Sequence, residues 1–441
     1  MKKYILPIIT LIISILTIIY ILKLNVIPNK YLIIILLTEL ILFILSLLQI
    51  KKNKVLKVIG IILSILLIII NILGIHYINK TNKFIDKNFT GDIVYNSDYY
   101  IITSPSTNKE IDKLLYYKYS YNIKEAKEHL NYNLEEIDNL ENIKDLKNKF
   151  LLIDEYNLKL LKLEYKVLEQ FNIKKIEQRK TEKLDSYNIY IGGRDFTRTL
   201  MDFNMILTIN NNTKTILITN IPRDYYINIP EYNTSDSLEF MGLLGEQTIA
   251  SSLEQLLDTK IDYYASIYTE GLVQITDLLG GIDYCSDMAF TTTHALVQDT
   301  YEDYGEKLTI KEGCQHLNGI QTLTLARERK NVGSDRQRQK NCTKIIRSLL
   351  DKALTTTTLS NYEELLSEIS NLYQTNINKE TIKSLIKNLI NEKYTIIEQS
   401  LDGYDGNDYI RLNSVKSYVM YPNYDTVNEA KQKINQTLKG E

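Results

Sequence analysis

Three apolar runs open the chain. Tyr4 to Leu22 carries no charged residue, Tyr31 to Ile50 is almost all Leu and Ile with one acid, Glu39, and Val58 to Ile75 is again apolar. Each run is close to the ~20 residues a helix needs to cross the hydrocarbon core. Residues 1–78 are therefore read as a three-helix transmembrane region, a multi-pass anchor in the cell membrane. Lys2 and Lys3 precede the first run, and Lys51, Lys52, Lys54 and Lys57 lie between the second and third. The positive-inside rule puts both sets in the cytoplasm, although Lys23 and Lys30 pull weakly the other way. The N-terminus is then cytoplasmic and everything after about residue 79 extracellular. Glu39 either faces a partner helix or sits neutral and inert, and inert is the expectation.

The pattern turns amphipathic after the third run. From Glu125 to Phe171 apolar residues recur at spacings of three and four with Glu and Lys between them, which predicts a helix-rich extracellular accessory or spacer segment over 79–185. The other reading of this stretch is a small α/β domain with a weak first strand at Asp98 to Thr103. Near Ser186 the period shortens. "YNIYIGG", "FNMILTI" (203–209) and "KTILITNI" (214–221) read as strands, with "NNNT" as a hairpin turn. Helical stretches around 243–257 and 271–279 alternate with further strands. Residues 186–441 are thus expected to form an α/β domain, a central mixed sheet covered by helices. Function in such a sheet collects at the loops beyond its strand ends, where Asp195, Asp202 and Arg223 fall.

The formal net charge of −2 gives no general attraction to nucleic acid, so any anion site is a local cluster. Cys285, Cys314 and Cys342 form no CxxC pair and the four histidines are scattered, which argues against structural zinc. A Cys285–Cys314 disulfide is compatible with an extracellular location. No P-loop is present, nor any visible Ser-His-Asp or Cys-His arrangement. What does stand out is "LARERKNVGSDRQRQKN", which packs Arg327, Arg329, Arg336 and Arg338 into a short span ahead of an apolar-striped helix. Ser334 or Asp335 can cap that helix. Arginine is the wrong charge for a helix start, a conflict that an external anion bound there resolves; a basic solvated helix end is the plainer alternative. Arg forks suit phosphate. Two carboxylates, Asp195 and Asp202, together with phosphate oxygens suit Mg²⁺. The combination points to a pyrophosphate or phosphodiester handled with a divalent metal.

Five segments in order, "YIGGRDFTR", "MDFNMILTINNNTKTILITNIPRDYYINIP", "IDYYASIYTEGLVQITDLLGGIDYCSDMAF", "LNGIQTLTLARERKNVGSDRQRQ" and "VMYPNYDTVNEAKQKI", resemble the LytR-CpsA-Psr (LCP) phosphotransferases of bacterial cell envelopes, most of all the capsular (CpsA) branch. The resemblance implies transfer of a capsular or teichoic-acid-type glycopolymer from an undecaprenyl-pyrophosphate carrier to peptidoglycan, forming a phosphodiester with Mg²⁺. Carried over by position, it implies Asp195 and Asp202 as metal ligands. It implies Arg223, Arg327, Arg329, Arg336, Arg338 and Gln339 as pyrophosphate ligands. Arg223, Arg327 and Arg329 would also serve catalysis. With no His motif on offer, a carboxylate is the general base the residues themselves supply, and Asp335 is the candidate. The sequence departs from the family at Leu200, where an Arg is expected and Arg198 stands close by, and the loop between Arg329 and Asp335 is short. The expected partners are the lipid-linked glycan, the peptidoglycan acceptor and membrane lipid, with no nucleic acid. The alternatives are a non-catalytic polyprenyl-phosphate-binding regulator and a scaffold of envelope polymer assembly.

Overall fold

In the computed structural model the apolar runs are helices α1 (Lys2–Leu24), α2 (Asn29–Ser46) and α3 (Lys54–Asn88). The structure describes residues 2–441 apart from 119, 121, 139, 141–142, 162, 178–183, 233, 299, 301, 356–371 and 411–414. All three helices are long and apolar enough to cross a membrane. Glu39 does not stand idle. Its carboxylate accepts hydrogen bonds from Ser14 Oγ on α1 at 2.8 Å and from Asn71 Nδ2 on α3 at 3.1 Å. Hydrocarbon offers no water to a polar group, so these three side chains pair with one another and tie the helices together.

The segment after α3 is where the sequence reading fails. Instead of a helix-rich spacer it forms a five-stranded sheet of β1 (Ile93–Thr103), β2 (Leu114–Tyr117), β3 (Leu134–Ile137), β4 (Phe150–Asp154) and β5 (Lys166–Glu177), in the order β3-β2-β4-β1-β5. Among the described residues of the stretch expected to be helical, α-helix is confined to Ile123–Glu128 and Glu155–Leu160. The decisive run is "FLLID": five successive residues, all buried, need a strand with cover on both faces, which periodicity cannot tell from a helix segment. The strand expected at Asp98–Thr103 is the second half of β1. Ile93 and Tyr117 join the same core cluster as the sheet that follows, so the segment packs on the next domain.

That next sheet has six strands. β6 (Ser186–Arg194), β7 (Met201–Asn210) and β8 (Thr215–Ile221) run antiparallel, β9 (Tyr263–Ile267) joins β6 in parallel, β10 (Tyr373–Thr375) pairs β9 antiparallel, and β11 (Thr395–Ser400) joins β8 in parallel. The expected turn at "NNNT" is present, with the Asn210 side chain accepting from the Asn212 and Thr213 amides at 2.9 and 3.0 Å. Side chains alternate across the sheet as a strand requires. Ile206 and Leu217 face the cluster shared with helices α4 (Glu246–Leu257) and α9 (Tyr424–Lys439). Met205 and Ile218 face the opposite cluster, shared with α7 (Asp335–Thr355) and α8 (Lys379–Asn391). The fold is thus a mixed sheet covered on both faces by helices. Between β9 and β10 come α5 (Thr269–Leu278), an antiparallel pair of Ile282–Ser286 with Gly313–Leu317, and α6 (Gly319–Arg327). Cys285 and Cys314 lie opposite each other in that pair and are disulfide-bonded. At the membrane-facing edge, Lys30 donates to the Asn391 carbonyl at 2.9 Å and Lys387 to Asn25 Oδ1 at 3.1 Å. The α1–α2 turn therefore lies on the same side as this domain.

Candidate functional site

β6, β7 and β8 bring Arg194, Met201 and Ile221 to one end of the sheet, and the candidate residues follow from how the chain leaves that end. β8 stops at Pro222, which has no N–H to continue the ladder. The chain turns, with the Tyr225 amide donating to the Pro222 carbonyl at 3.2 Å, and Arg223 projects from the turn. Asp202, one residue into the adjacent β7, ion-pairs with Arg223 Nη1. Glu239, on the short helix Leu238–Met241, approaches the same nitrogen at 2.9 Å. Its own amide donates to the Arg223 carbonyl at 2.8 Å, so backbone and side chain fix this acid against the turn. Asp224 is 3.9 Å from Arg223 Nε, so Asp202 and Glu239 are the acids that orient the guanidinium. Arg223 Nε is buried without a hydrogen-bond partner, a donor left for something to accept.

From the other side come α6 and α7. Ser334 caps α7, its Oγ accepting from the Gln337 amide at 3.3 Å. Arg338 is buried and donates to Asp335 Oδ1 and to the Asp202 carbonyl, both at 2.8 Å. Arg329 reaches Asp335 at 3.3 Å and Asp202 at 3.8 Å. Asp202, Arg223, Glu239, Arg329 and Arg338 line a cavity of about 420 Å³ that also takes in Asp195 and Arg327. Much of the rest of its wall is apolar, including Phe203, Leu272, Leu323, Ile345 and Ile346. Of the Leu- and Ile-rich stretches in the sequence, the start of 345–354 contributes to this wall, while 243–257 packs into the core on the other face of the sheet. The side chains of Ala353 and Leu354 lie outside the described residues.

The electrostatics follow from burial with incomplete pairing. Glu239 is pushed up to about 7 by burial and by the neighbouring Asp202 and Asp224 carboxylates, with Arg223 opposing. Burial also raises Asp224. For Asp335 burial acts upward too, but Arg338 and the other arginines outweigh it and hold the carboxyl below its ordinary range. Arg329 is lowered by burial and by repulsion from Arg338 and Arg223. Arg223, Arg329 and Arg338 thus share one site with Asp202, Asp224, Glu239 and Asp335, where burial and mutual repulsion oppose the charge of Arg329.

Three expectations need correction. Arg336, expected on the pyrophosphate, lines no part of this cavity; it is exposed and paired with Asp402 at 2.7 Å. Successive positions on a helix point about 100° apart, so Asp335, Arg338 and Gln339 share a face and Arg336 leaves it. Gln339 hydrogen-bonds Asp335 Oδ2 at 3.2 Å from behind and does not reach the cavity either. Arg327 does line it, but its guanidinium donates to the carbonyls of Val297, Gln298 and Thr300 at 2.6–2.9 Å. Its fork holds a loop in place where a phosphate was expected. Residues that sequence reasoning missed include Glu239 and Arg194. Arg194 is buried against Glu246 at 2.7 Å and donates to the Arg198 and Gly242 carbonyls. Its place beside Asp195 in "GGRD" was a usable signal, whereas nothing in "SLEFMG" sets Glu239 apart. Arg198, the possible stand-in at the Leu200 departure, pairs with Glu270 at 3.0 Å and lies 4.6 Å over the Tyr268 ring, while Leu200 itself lines the cavity.

Asp195 accepts from the Thr199 and Leu200 amides at 3.0 Å and from the Thr197 hydroxyl at 2.6 Å, which folds the β6–β7 loop around it. Among the described residues no group of three or more His, Cys, Asp or Glu is placed to hold a metal by itself. Two carboxylates lining one cavity do suit a hard cation that draws its remaining ligands from phosphate and water.

A model of the LytR_cpsA_psr family matches residues 153–436, more than half of the chain. Biofilm regulatory protein A of Streptococcus mutans is 30% identical over 186 residues, which cover 40% of this chain and 44% of that protein. The polyisoprenyl-teichoic acid–peptidoglycan teichoic acid transferase TagU of Enterococcus faecalis is 27% identical over 218 residues, 48% of this chain and 68% of that protein. The crystal structure of B. subtilis TagV superposes with a TM-score of 0.48 at 20% identity, covering 58% of this chain and 99% of that one. On the extent of the family match, the chain belongs to the LytR_cpsA_psr family.

Proposed function

We propose that this protein transfers a glycopolymer from an undecaprenyl-pyrophosphate carrier to peptidoglycan. One observation carries the reading: a single cavity is lined both by Arg223, Arg329, Arg338, Asp195 and Asp202 and by a largely apolar wall. A prenyl pyrophosphate has the same division, a hydrocarbon tail joined to a dense anion. The TagU relative is named for transfer of teichoic acid to peptidoglycan, which supports the substrate class; a capsular glycan is the finer expectation from the sequence. The Lys51–Lys57 loop supports a cytoplasmic N-terminus and an extracellular catalytic domain, and the disulfide supports the same side.

In the reaction an acceptor hydroxyl oxygen bonds to the glycan-bearing phosphorus and the bridging P–O bond breaks. Its electron pair leaves on the prenyl monophosphate. Arg223 and Arg329 hold the phosphoryl oxygens and neutralise charge as it builds on them. Asp335 was the general base expected from sequence, but Arg338 holds it ionised and weakly basic. Glu239 takes the proton instead: it is 2.9 Å from Arg223, and its value of about 7 suits proton uptake near neutrality. Asp195 and Asp202 would hold Mg²⁺, which when bound would neutralise further phosphate charge.

The test is turnover of a prenyl-pyrophosphate-linked oligosaccharide with a soluble peptidoglycan acceptor, using full-length protein in nanodiscs with and without Mg²⁺. Formation of the phosphodiester product and prenyl phosphate is expected. Tight donor binding with no product would instead support the second reading, a regulator that holds prenyl phosphates, which the engagement of Arg327 with backbone carbonyls favours.

A further inference from the structure

A second cavity, of about 570 Å³, meets the first at Arg223, Glu239 and Arg329, which line both. Its wall is more polar than that of the first, although Phe240, Ile410, Val415 and Met420 also line it. It takes in Asp224 and Asp335, and Ser417 and Tyr418 from a two-stranded ribbon, β12 (Gly403–Ile410) paired with β13 (Val415–Pro422). The ribbon is fixed to the site at two points. The Met420 amide donates to the Asp224 carbonyl at 2.7 Å, and Asp402 at its root pairs with Arg336 of α7. That gives Arg336 an anchoring role. On the ribbon the Tyr418 ring stays partly exposed while its hydroxyl donates to Asp405 Oδ1 at 2.9 Å. An aromatic face beside carboxylates and a hydroxyl is a surface for a sugar ring, which presents C–H groups on its faces and O–H groups at its edge.

Phosphoryl transfer requires the attacking and leaving oxygens to be roughly in line through phosphorus. The apolar cavity takes the prenyl side, so the leaving oxygen points there. The nucleophile must come from the opposite side of the phosphorus, and the polar cavity adjoins the same Arg223 and Arg329 that line the apolar one. We infer that this polar cavity is the acceptor subsite, where a sugar of the receiving glycan strand stacks on Tyr418 with its hydroxyl directed at the phosphate between Arg223 and Arg329. The inference rests on the proposed transfer and adds where the acceptor enters. The bond changes are those of the transfer itself. The acceptor oxygen bonds to phosphorus, the bridging P–O bond breaks towards the prenyl phosphate, and the hydroxyl proton passes to Glu239, which borders both cavities.

The experiment uses full-length protein in nanodiscs and two separate readouts. These are the Kd of a prenyl-pyrophosphate-linked disaccharide without acceptor, and the KM of a soluble peptidoglycan glycan oligomer in the transfer assay. Tyr418→Ala is expected to raise the acceptor KM about tenfold, the range of one aromatic stacking contact, and to leave the donor Kd within about twofold. Tyr418→Phe, which keeps the ring and loses the bond to Asp405, should stay near the wild-type KM. Unchanged donor affinity also shows that a variant is folded; if Tyr418→Ala does not fold, Tyr418→Leu keeps bulk without the aromatic face and should raise the KM in the same way. A weakened donor Kd with an unchanged acceptor KM would mean that the cavity holds the donor's own sugar, overturning this inference while leaving the transfer intact. No change in either value also overturns it. A wild-type protein that transfers nothing removes the proposed function and the acceptor assignment together.

Discussion

Replacing Arg223 by Ala separates what this arginine does for the fold from what it does for a phosphate. Its side chain is 14% exposed and pairs with Asp202 and Glu239, so solvent screens these interactions little. A charged hydrogen bond to phosphate in such a place contributes about 1.5–3 kcal/mol, and transfer should fall about ten- to a hundredfold. The stability cost is a separate quantity. Removing one partner of a buried pair costs about 3–5 kcal/mol when the remaining charge has no relief. Here Glu239, already at about 7, can take a proton, and Arg329 and Arg338 remain beside Asp202. A loss of about 1–3 kcal/mol is therefore expected. The double variant Arg223→Ala/Glu239→Gln should regain much of that stability and none of the transfer, while Arg223→Lys should recover transfer only in part because it loses the fork. Thermal unfolding and single-turnover transfer, measured on the same nanodisc samples, read the two quantities. Folded Arg223→Ala that transfers within about threefold of wild type would refute the reasoning, since no phosphate contact worth 1.5 kcal/mol could then have been lost.

Arg336→Ala, by contrast, should change donor affinity by less than about threefold and stability by under about 1 kcal/mol, because its pair with Asp402 is an exposed one; a donor binding titration checks this. Glu239 should make stability depend on pH. Its folded value of about 7 lies above its ordinary 4.5, so the folded state keeps a proton that the unfolded chain releases. That contribution is full below about 4.5 and lost as pH rises through 7, and the unfolding midpoint of Glu239→Gln should lack this component of the decline. Reduction of Cys285–Cys314, which closes a loop of 29 residues, should cost about 3–4 kcal/mol, read as a lower unfolding midpoint with dithiothreitol. An unchanged midpoint in a sample shown to be reduced would count against a stabilising role.

How much of this was legible in the sequence depends on how local each signal is. The three spans were readable because uninterrupted apolarity over a helix length has few other solutions. The antiparallel run β6–β7–β8 was readable because period-two patterning flanks a turn whose Asn side chain caps its own backbone. Arg223 and Asp202 could be placed in one site because strand ends at one end of a sheet converge, but their pairing with each other came only from the structure. The accessory sheet was not readable: "FLLID" and the 166–177 strand have apolar spacings that suit a helix as well, and only long-range pairing of β1 with β4 and β5 decides between them. The charges divided in the same way. A cluster of arginines in sequence showed that positive charge collects near α7, but helical rotation sent Arg336 outward, the Val297, Gln298 and Thr300 carbonyls claimed Arg327, and a four-residue helix carried Glu239 onto Arg223. Sequence fixes which groups are near along the chain, while the direction a side chain takes and the partner it finds depend on residues tens to hundreds of positions away.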